Sequence, residues 1–295
     1  MTDWIGKIYE HKYKKIIILP IVILLCAILI LGFWKVNTGE FVSKDITLTG
    51  GIMITVETGE QIDIASAEKA ISNQLGLSSR VKELRSFGSS GNLGYTFEVE
   101  QTSDIDGIKK AISDSTGLEV IEGKYTIEET SSSLSTTFWN NTVQALFLAF
   151  IFMAGVIFFY FRKLVPSGAI VLAAFSDFLC TLAAINLLGI KLSTASIAAL
   201  LMLIGYSVDS NILLSVRTIK QHEGSVSDRV ANALKTGITM SVTTLVALTT
   251  IYVISPSKIL QQIALVLLLG LMFDFINTWI MNASIITWWL KKKNG

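Results

Sequence analysis

Long apolar runs separated by polar segments dominate this chain of 295 residues. A helix that crosses the hydrocarbon layer of a membrane needs about 20 mostly apolar residues. Six runs reach that length: residues 16–34, Phe138–Phe161, Ser167–Leu188, Leu192–Val216, Leu234–Ile254 and Ile259–Leu290. The pattern therefore predicts a helical membrane protein with six transmembrane helices, the last five of them within residues 138–290.

Residues 37–136 interrupt this pattern with a polar module of a different periodicity. Segments typical of strands are Ile46–Thr58 with a break at Gly50 and Gly51, Arg80–Phe87, Tyr95–Gln101 and Leu118–Glu128. Helical periodicity is found in Asp63–Leu75 and from Ser103 or Asp104 to Ser113. The order β-α-β-β-α-β predicts an α+β domain of the ferredoxin-like kind. The following segment Thr130–Thr137, almost all Ser and Thr, is interpreted as a tether to the membrane.

Charge orients the predicted helices. The chain is 51% hydrophobic and 16% charged, with a mean hydropathy of +0.58. Residues 37–136 hold 16 acidic and 8 basic side chains, whereas the rest holds 7 acidic and 16 basic ones. Basic residues cluster in residues 1–15, at Arg162 and Lys163, around the loop between the fourth and fifth spans, and in residues 291–295. Because positive loops stay inside, both termini are expected in the cytoplasm and residues 37–136 outside the cell membrane.

Three acids fall within predicted spans: Asp177, Asp209 and Asp274. Each costs roughly 2.5–3.5 kcal/mol on insertion scales, so a paired or functional role is the default interpretation. Helical spacing places Asp209 on one face with the small residue Gly205, and Asp274 on one face with Asn277. Either acid could instead serve only in helix packing.

Two cations at span ends, Lys235 and Arg217, could reach the inner interface or pair with Asp209 or Asp177. The threonines of the fifth span, Thr236, Thr239, Thr243 and Thr250, could join helices or line a polar crevice.

Several chemistries are disfavoured by the same residues. Cys26 and Cys180 lie in apolar runs and His11 and His222 lie outside the spans, so no disulfide, metal or cofactor is expected. A phosphate-binding G-x-x-x-x-G-K-[ST] run is absent. An intramembrane aspartyl protease would need two carboxylates that share a proton, but its GxGD motif is absent. We therefore expect neither an enzyme nor a nucleic-acid-binding protein.

Three motifs resemble the SecD/SecF family of protein-export membrane proteins, whose members are similar in fold to half of an RND transporter. Ile204–Val208 reads IGYSV and includes Gly205 and Tyr206; Thr49-Gly50-Gly51 reads TGG; and Leu234-Lys235-Thr236 begins the fifth span. Bacterial members follow IGYSV with Asn-Asp, whereas this chain has Asp209-Ser210. Their acid before TGG would fall at position 47, where this chain has a threonine. Both departures are more typical of archaeal members.

The resemblance, to the SecF branch in particular, implies an auxiliary role in protein export with SecD, the SecY channel and the exported polypeptide, driven by the proton gradient. It suggests Asp209 as the main proton site, Asp177 as its partner, and Lys235 or Arg217 as tuning cations. Asn211 and Asn277 are candidates for pairing with the acids. Two alternatives stay open: a half-size RND-like exporter of lipids or small molecules, and a scaffold whose acids only pack against SecD.

Overall fold

A computed structural model of the chain describes residues 13–85, 92–100, 104–118, 124–221, 224–255 and 257–294. The chain divides into two compact units. We call Lys44–Val143 the polar unit and the remaining described residues the membrane unit.

The first membrane helix, α1, spans Ile18–Thr38 after a single helical turn at Tyr13–Ile16. Gly39 ends it in the left-handed region (φ 79°), where glycine has no steric penalty. The residues after α1 are hydrogen-bonded to other parts of the membrane unit. The Asn186 side-chain amide donates to the carbonyl of Phe41 at 2.7 Å, and the Leu192 N–H donates to the carbonyl of Ser43, also at 2.7 Å.

The polar unit has the predicted β-α-β-β-α-β order. Its elements are β1 (Gly51–Glu57), α2 (Ile64–Leu75), β2 (Ser79–Arg85), β3 (Asn92–Glu100), α3 (Ile105–Thr116) and β4 (Tyr125–Thr130). The strands form an antiparallel sheet in the order β2-β3-β1-β4. Asp63 and Asp104 cap the two helices by accepting backbone N–H groups. Buried apolar side chains such as Ile54, Phe97 and Ile112 fill one core between sheet and helices, which confirms the ferredoxin-like prediction.

Several predicted boundaries in this unit are wrong. Ile46–Thr49 is a helical turn rather than a strand, because the Asp45 carboxylate accepts the Ile46 N–H at 2.7 Å and caps it. The strand starts only at Gly51, whose missing Cβ lets β1 approach β3: an added Cβ would lie 2.2 Å from the Val99 carbonyl oxygen. The last strand begins at Tyr125 rather than Leu118. Residues 86–91, 101–103 and 119–123, with Phe87, Gln101, Ser103 and the loop predicted near Gly88, lie outside the described residues.

Six helices are long and apolar enough to cross a membrane within the described part of the chain, as predicted. After α1 these are α4 (Ser132–Phe161), α5 (Leu164–Leu187), α6 (Thr194–Lys220), α7 (Val226–Ile254) and a composite sixth span. The sixth consists of α8 (Lys258–Ile276), a π-helix (Asn277–Asn282) and α9 (Ala283–Asn294). The expected Ser/Thr tether is wrong, since α4 already begins at Ser132. Likewise α7 begins eight residues before Leu234, because Ser225 and Asp228 form a capping box there.

The interior of the membrane unit lies around α5, α6 and the sixth span. In the most apolar stretch of α5, 56% of the residues are buried, compared with 11% in α4 and in α7. Small side chains on α5, including Ala173, Ala174 and Ser176, are buried and permit close helix contact. The three central helices therefore provide the place where polar side chains can be enclosed completely.

Candidate functional site

Asp177, on α5, is the centre of a buried polar cluster that joins three helices. Its side chain is fully buried, at 0% exposure. The Ser207 hydroxyl of α6 donates to Asp177 Oδ2 at 2.5 Å. The Asn277 amide, at the start of the π-helix, donates to Asp177 Oδ1 at 2.7 Å. Each carboxyl oxygen thus has a donor from a different helix.

Asp274, at the end of α8, is the second acid of this cluster, and we call Asp177 and Asp274 the carboxyl pair. Asp274 is 1% exposed, and the Thr278 hydroxyl donates to its Oδ1 at 2.8 Å. The two carboxyl groups lie within direct interaction range of each other, and Ser207 and Ser210 lie within range of Asp274. Among the described residues no lysine, arginine or histidine acts on either carboxyl group. The pair is therefore enclosed without a counter-cation.

Two asparagines extend the cluster along α6 and the π-helix. The Asn282 amide donates to Asn211 Oδ1 at 2.6 Å. The Asn211 amide in turn donates to the Ser207 carbonyl at 2.7 Å and contacts the Ser207 hydroxyl at 3.3 Å. Asn211 and Asn282 are both 0% exposed. One connected set of side chains therefore runs from Asp177 through Ser207 and Asn211 to the end of the π-helix.

The π-helix changes how the sixth span presents these side chains. In a π-helix the hydrogen bonds run from residue i to residue i+5, and such turns are frequent at functional sites. The α-helical spacing assumed for Ile259–Leu290 is therefore wrong between Asn277 and Asn282. The wider turn brings Asn277 and Asn282, five residues apart, towards the same side of the span, where Asn277 bonds to α5 and Asn282 bonds to α6. Periodicity in the sequence does not distinguish the two helix types.

Close packing seals the cluster on one side. Gly270 lies one turn before Asp274, and Leu203 lies one turn before Ser207. A Cβ added to Gly270 would lie 2.4 Å from Leu203 Cδ2, so the two helices touch there. Leu200, Leu203 and Leu267 are each 1% exposed. Apolar side chains therefore close this end of the cluster.

Asp209, the expected main proton site, faces the other way. Residues two apart on an α-helix point about 200° apart, so Ser207 faces the cluster while Asp209 points outward. Asp209 is exposed, as is Gly205, whose added Cβ would have nothing within 4 Å. Among the described residues Asp209 has no hydrogen-bond or ion-pair partner, and Asp177 interacts with Asp274 instead.

Of the other candidate residues, Asn277 bonds directly to Asp177, whereas Lys235, Arg217 and Tyr206 have no hydrogen bond to either acid in the described part of the chain. Lys235 is exposed on α7, and an Arg217 Nη1 group donates to the carbonyl of Asn232 at 3.3 Å. Tyr206 is 38% exposed beside Gly205. Three of the four predicted α7 threonines, Thr239, Thr243 and Thr250, are exposed and donate to carbonyls of α7 itself, so among the described residues their hydroxyls form no bond to another helix.

Sequence reasoning missed Ser207, Thr278 and Asn282 as partners in the cluster. Ser207 was part of the IGYSV motif, but its spacing of four residues from Asn211 was a usable signal for a shared face. Asn282 carried no such signal, because its orientation depends on the π-helix. The acids were recognised from sequence, whereas their partners required the structure.

Comparisons with known proteins identify the family. A family model described as "Protein export membrane protein SecD/SecF, C-terminal" matches residues 112–292. The protein-export membrane protein SecF of Pyrococcus furiosus is 38% identical over 290 residues, which cover 97% of this chain and 94% of that protein. This chain belongs to the SecD/SecF family. SecF of Methanocaldococcus jannaschii is also 38% identical, over 94% of this chain and 96% of that protein. Both organisms are archaea, in agreement with the departures from the bacterial motifs.

The fold of this SecD/SecF family member is similar to that of a solved SecDF structure. A crystal structure of SecDF from the genus Thermus, described as a translocon-associated membrane protein, superposes with a TM-score of 0.73 at 18% identity. The match covers 97% of this chain and 39% of that protein. A SecDF crystal structure in a super-membrane-facing form gives a TM-score of 0.61. This chain thus spans about two fifths of the SecDF chain that it matches.

Proposed function

We propose that this chain is an auxiliary subunit of the Sec protein translocation machinery that, together with SecD, promotes protein export across the cell membrane using the proton gradient. Membership of the SecD/SecF family supports the export role. The observation that carries the coupling to protons is the buried carboxyl pair, Asp177 and Asp274. A transporter needs groups at membrane depth that can gain and lose a proton, and intramembrane acids serve this purpose.

The carboxyl pair fits this role because of its enclosure. Two ionised carboxylates without a cation would each lose their hydration and would repel each other, at a cost of several kcal/mol per ion. The neutral hydroxyl of Ser207 and amide of Asn277 satisfy the oxygens without neutralising a charge. We therefore propose that Asp177 and Asp274 share at least one proton and that its release changes the packing of α5, α6 and the π-helix.

Asp209 is exposed on α6 and is therefore separate from the buried carboxyl pair. It lies on an exposed face of α6 with Gly205 and Met202, where a partner membrane protein can approach closely. We propose that SecD covers this face and completes a second proton site with Asp209. Arg217 and Lys235, near the inner ends of their helices, are proposed to tune that site at the interface.

The proposed orientation follows the positive-inside rule. Arg162 and Lys163 connect α4 to α5, and Lys291–Lys293 end the sixth span; these positive charges support our proposal that both termini lie in the cytoplasm. The opposite loops among the last five spans hold only Lys191 and Lys258. Residues 37–136 are then extracytoplasmic, where the polar unit can act on polypeptides that emerge from SecY.

The test is export by reconstituted complexes of this chain with SecD and SecY, measured with and without a proton gradient. Asp177→Asn, Asp274→Asn and Asp209→Asn each keep the shape of the side chain but remove its acid. We expect each variant to lose the gradient-dependent part of export while complex assembly stays normal. Asp106→Asn, an exposed acid on α3, is the control and should export normally. Gradient-dependent export that survives all three intramembrane substitutions would refute the proposal.

Copurification separates this proposal from its rivals. An export subunit should copurify with a SecD-like protein, whereas a half-size exporter of lipids or small molecules should copurify with a second copy of itself. A packing scaffold should bind SecD and yet show no loss of export in the three asparagine variants.

A further inference from the structure

Two buried amide oxygens beside the carboxyl pair lack hydrogen-bond partners among the described residues. They are Asn277 Oδ1 and Asn282 Oδ1. Their residues are at most 1% exposed. Buried acceptors in proteins are nearly always satisfied, and ordered water supplies the bond where no protein group does. Both oxygens belong to the π-helix, so the requirement for water is concentrated along this stretch.

A buried polar stripe on α6 continues from this place towards the end of the helix at Lys220. Ser207, Asn211, Ser215 and Thr218 are each 0% exposed. Their spacing of four, four and three residues places them on one face of α6. At about 1.5 Å per residue, the stripe from Ser207 to Thr218 is about 16 Å long. It therefore spans the distance between the carboxyl pair and the end of α6.

The hydroxyl oxygens of Ser215 and Thr218 can accept hydrogen bonds. Ser215 Oγ donates to the Asn211 carbonyl at 2.8 Å, and Thr218 Oγ1 donates to the Leu214 carbonyl at 2.7 Å. Since each hydroxyl has one hydrogen and two lone pairs, the lone pairs stay available. At the far end, Arg229 donates to the Thr218 carbonyl at 2.7 Å and is itself only partly buried. The stripe thus connects the buried cluster with a charged side chain near the surface.

At the opposite end of the cluster, where α6 meets α8, the buried residues that the structure describes are apolar. Leu203 and Gly270 are in contact there, and the neighbouring Leu200 and Leu267 are buried and apolar. The carboxyl pair therefore lies between a closed apolar end and a polar end.

We propose that a chain of buried water molecules follows the stripe Ser207–Asn211–Ser215–Thr218 and connects the carboxyl pair to the cytoplasmic end of α6. The Leu203–Gly270 contact closes the pair to the outer side. The inner and outer directions rest on the orientation under the proposed function. In this arrangement the pair exchanges protons with the cytoplasm, and access from outside requires separation of Leu203 from Gly270.

Substituted cysteines test this path in the full-length chain. Cys26 and Cys180 are first replaced by alanine, and single cysteines are then introduced by Ser215→Cys or Leu214→Cys. Leu214 is also 0% exposed and lies at the same depth, but it belongs to an apolar cluster with Trp279 and Ile286. Each variant is treated in sealed vesicles with a small cationic methanethiosulfonate, applied from either side. Thiols in a packed apolar core react only through local opening, so we expect Ser215→Cys to react at least about ten times faster than Leu214→Cys from the cytoplasmic side.

The leucine control is stringent, because Leu214→Cys leaves extra space that favours the reagent. Equal rates for the two variants would overturn the water path, and so would faster labelling of Ser215→Cys from the outer side. Should Ser215→Cys fail to fold, Thr218→Cys on the same stripe carries the same expectation. The labelling needs no export activity, so loss of the path and failure of the proposed export role are separate results.

Discussion

The contact between α7 and the sixth span depends on a glycine, Gly237, and adding a side chain at this position tests the packing of the two helices directly. Gly237 lies against the indole of Trp279 in the π-helix. A Cβ added at Gly237 would lie 1.8 Å from Trp279 Cζ2 and 2.6 Å from Cη2. Trp279 is 2% exposed and packs with Leu214 and Ile286. Gly237→Ala therefore forces the ring or the helix to move.

The size of the effect follows from the geometry. Carbon atoms attract at about 3.5–4.0 Å, so the new methyl group needs roughly 2 Å of displacement. Overpacking of a dense core costs about 1–3 kcal/mol, and an enclosed ring at such a short distance belongs at or above the upper end. Alanine regains about 1 kcal/mol of helix propensity relative to glycine. We expect a net loss of about 2 kcal/mol, which corresponds to a fall in Tm of about 4–8 °C.

Thermal unfolding of the purified chain in detergent, followed by size-exclusion chromatography, measures this change. Gly205→Ala is the matched control, since an added Cβ there has nothing within 4 Å; its Tm should stay the same or rise slightly. Trp279→Leu should cost less in the Gly237→Ala background than alone, because it relieves the clash. A Gly237→Ala chain as stable as the parent would refute the close contact.

Three further changes test other parts of the structure. Ser207→Ala removes the donor to Asp177 and should cost about 1–3 kcal/mol in stability, read as a lower Tm; an unchanged Tm would contradict the buried bond. Gly51→Ala should loosen the β1–β3 pairing, seen as faster amide exchange in both strands, because the added Cβ meets a β3 carbonyl. The Ser66 hydroxyl lowers the pKa of Asp63. The ionised cap therefore stabilises α2 fully above the ordinary pKa and loses its effect as the pH falls through the lowered pKa. Asp63→Asn should remove this acid dependence of amide exchange in α2, and an unchanged profile would contradict it.

The parts of the fold predicted from sequence depend on local pattern. A run of about 20 apolar residues has few structural alternatives, so all six spans were found. Alternation in the polar module predicted the order of strands and helices along the chain, and Asp63 and Asp104 marked the starts of the two helices. Errors fell where side chains override the pattern: Asp45 caps a helical turn at Ile46–Thr49 that alternation had assigned to a strand.

The site was predictable only in part, because a helical wheel shows which residues share a face but not what covers it. The face of Gly205 and Asp209 was identified correctly as one face, yet it is exposed within the chain. The meeting of Asp177 with Asp274 joins residues almost one hundred positions apart, and no local pattern contains that information. The role of Asp209 stays a prediction that the asparagine variants address.

The π-helix also sets the phase of the inner end of the sixth span. If the same residues between Asn277 and Asn282 were α-helical, everything after them would lie about 1.5 Å further along the axis and be rotated by about 100°. Trp289, which lies under the ammonium groups of Lys163 at 5.1 Å and Lys293 at 5.8 Å, would then turn away from Lys163. The same wide turn thus sets the orientation of both the polar cluster and the aromatic side chain beside these lysines, so its conversion to α-helix would put the two out of register.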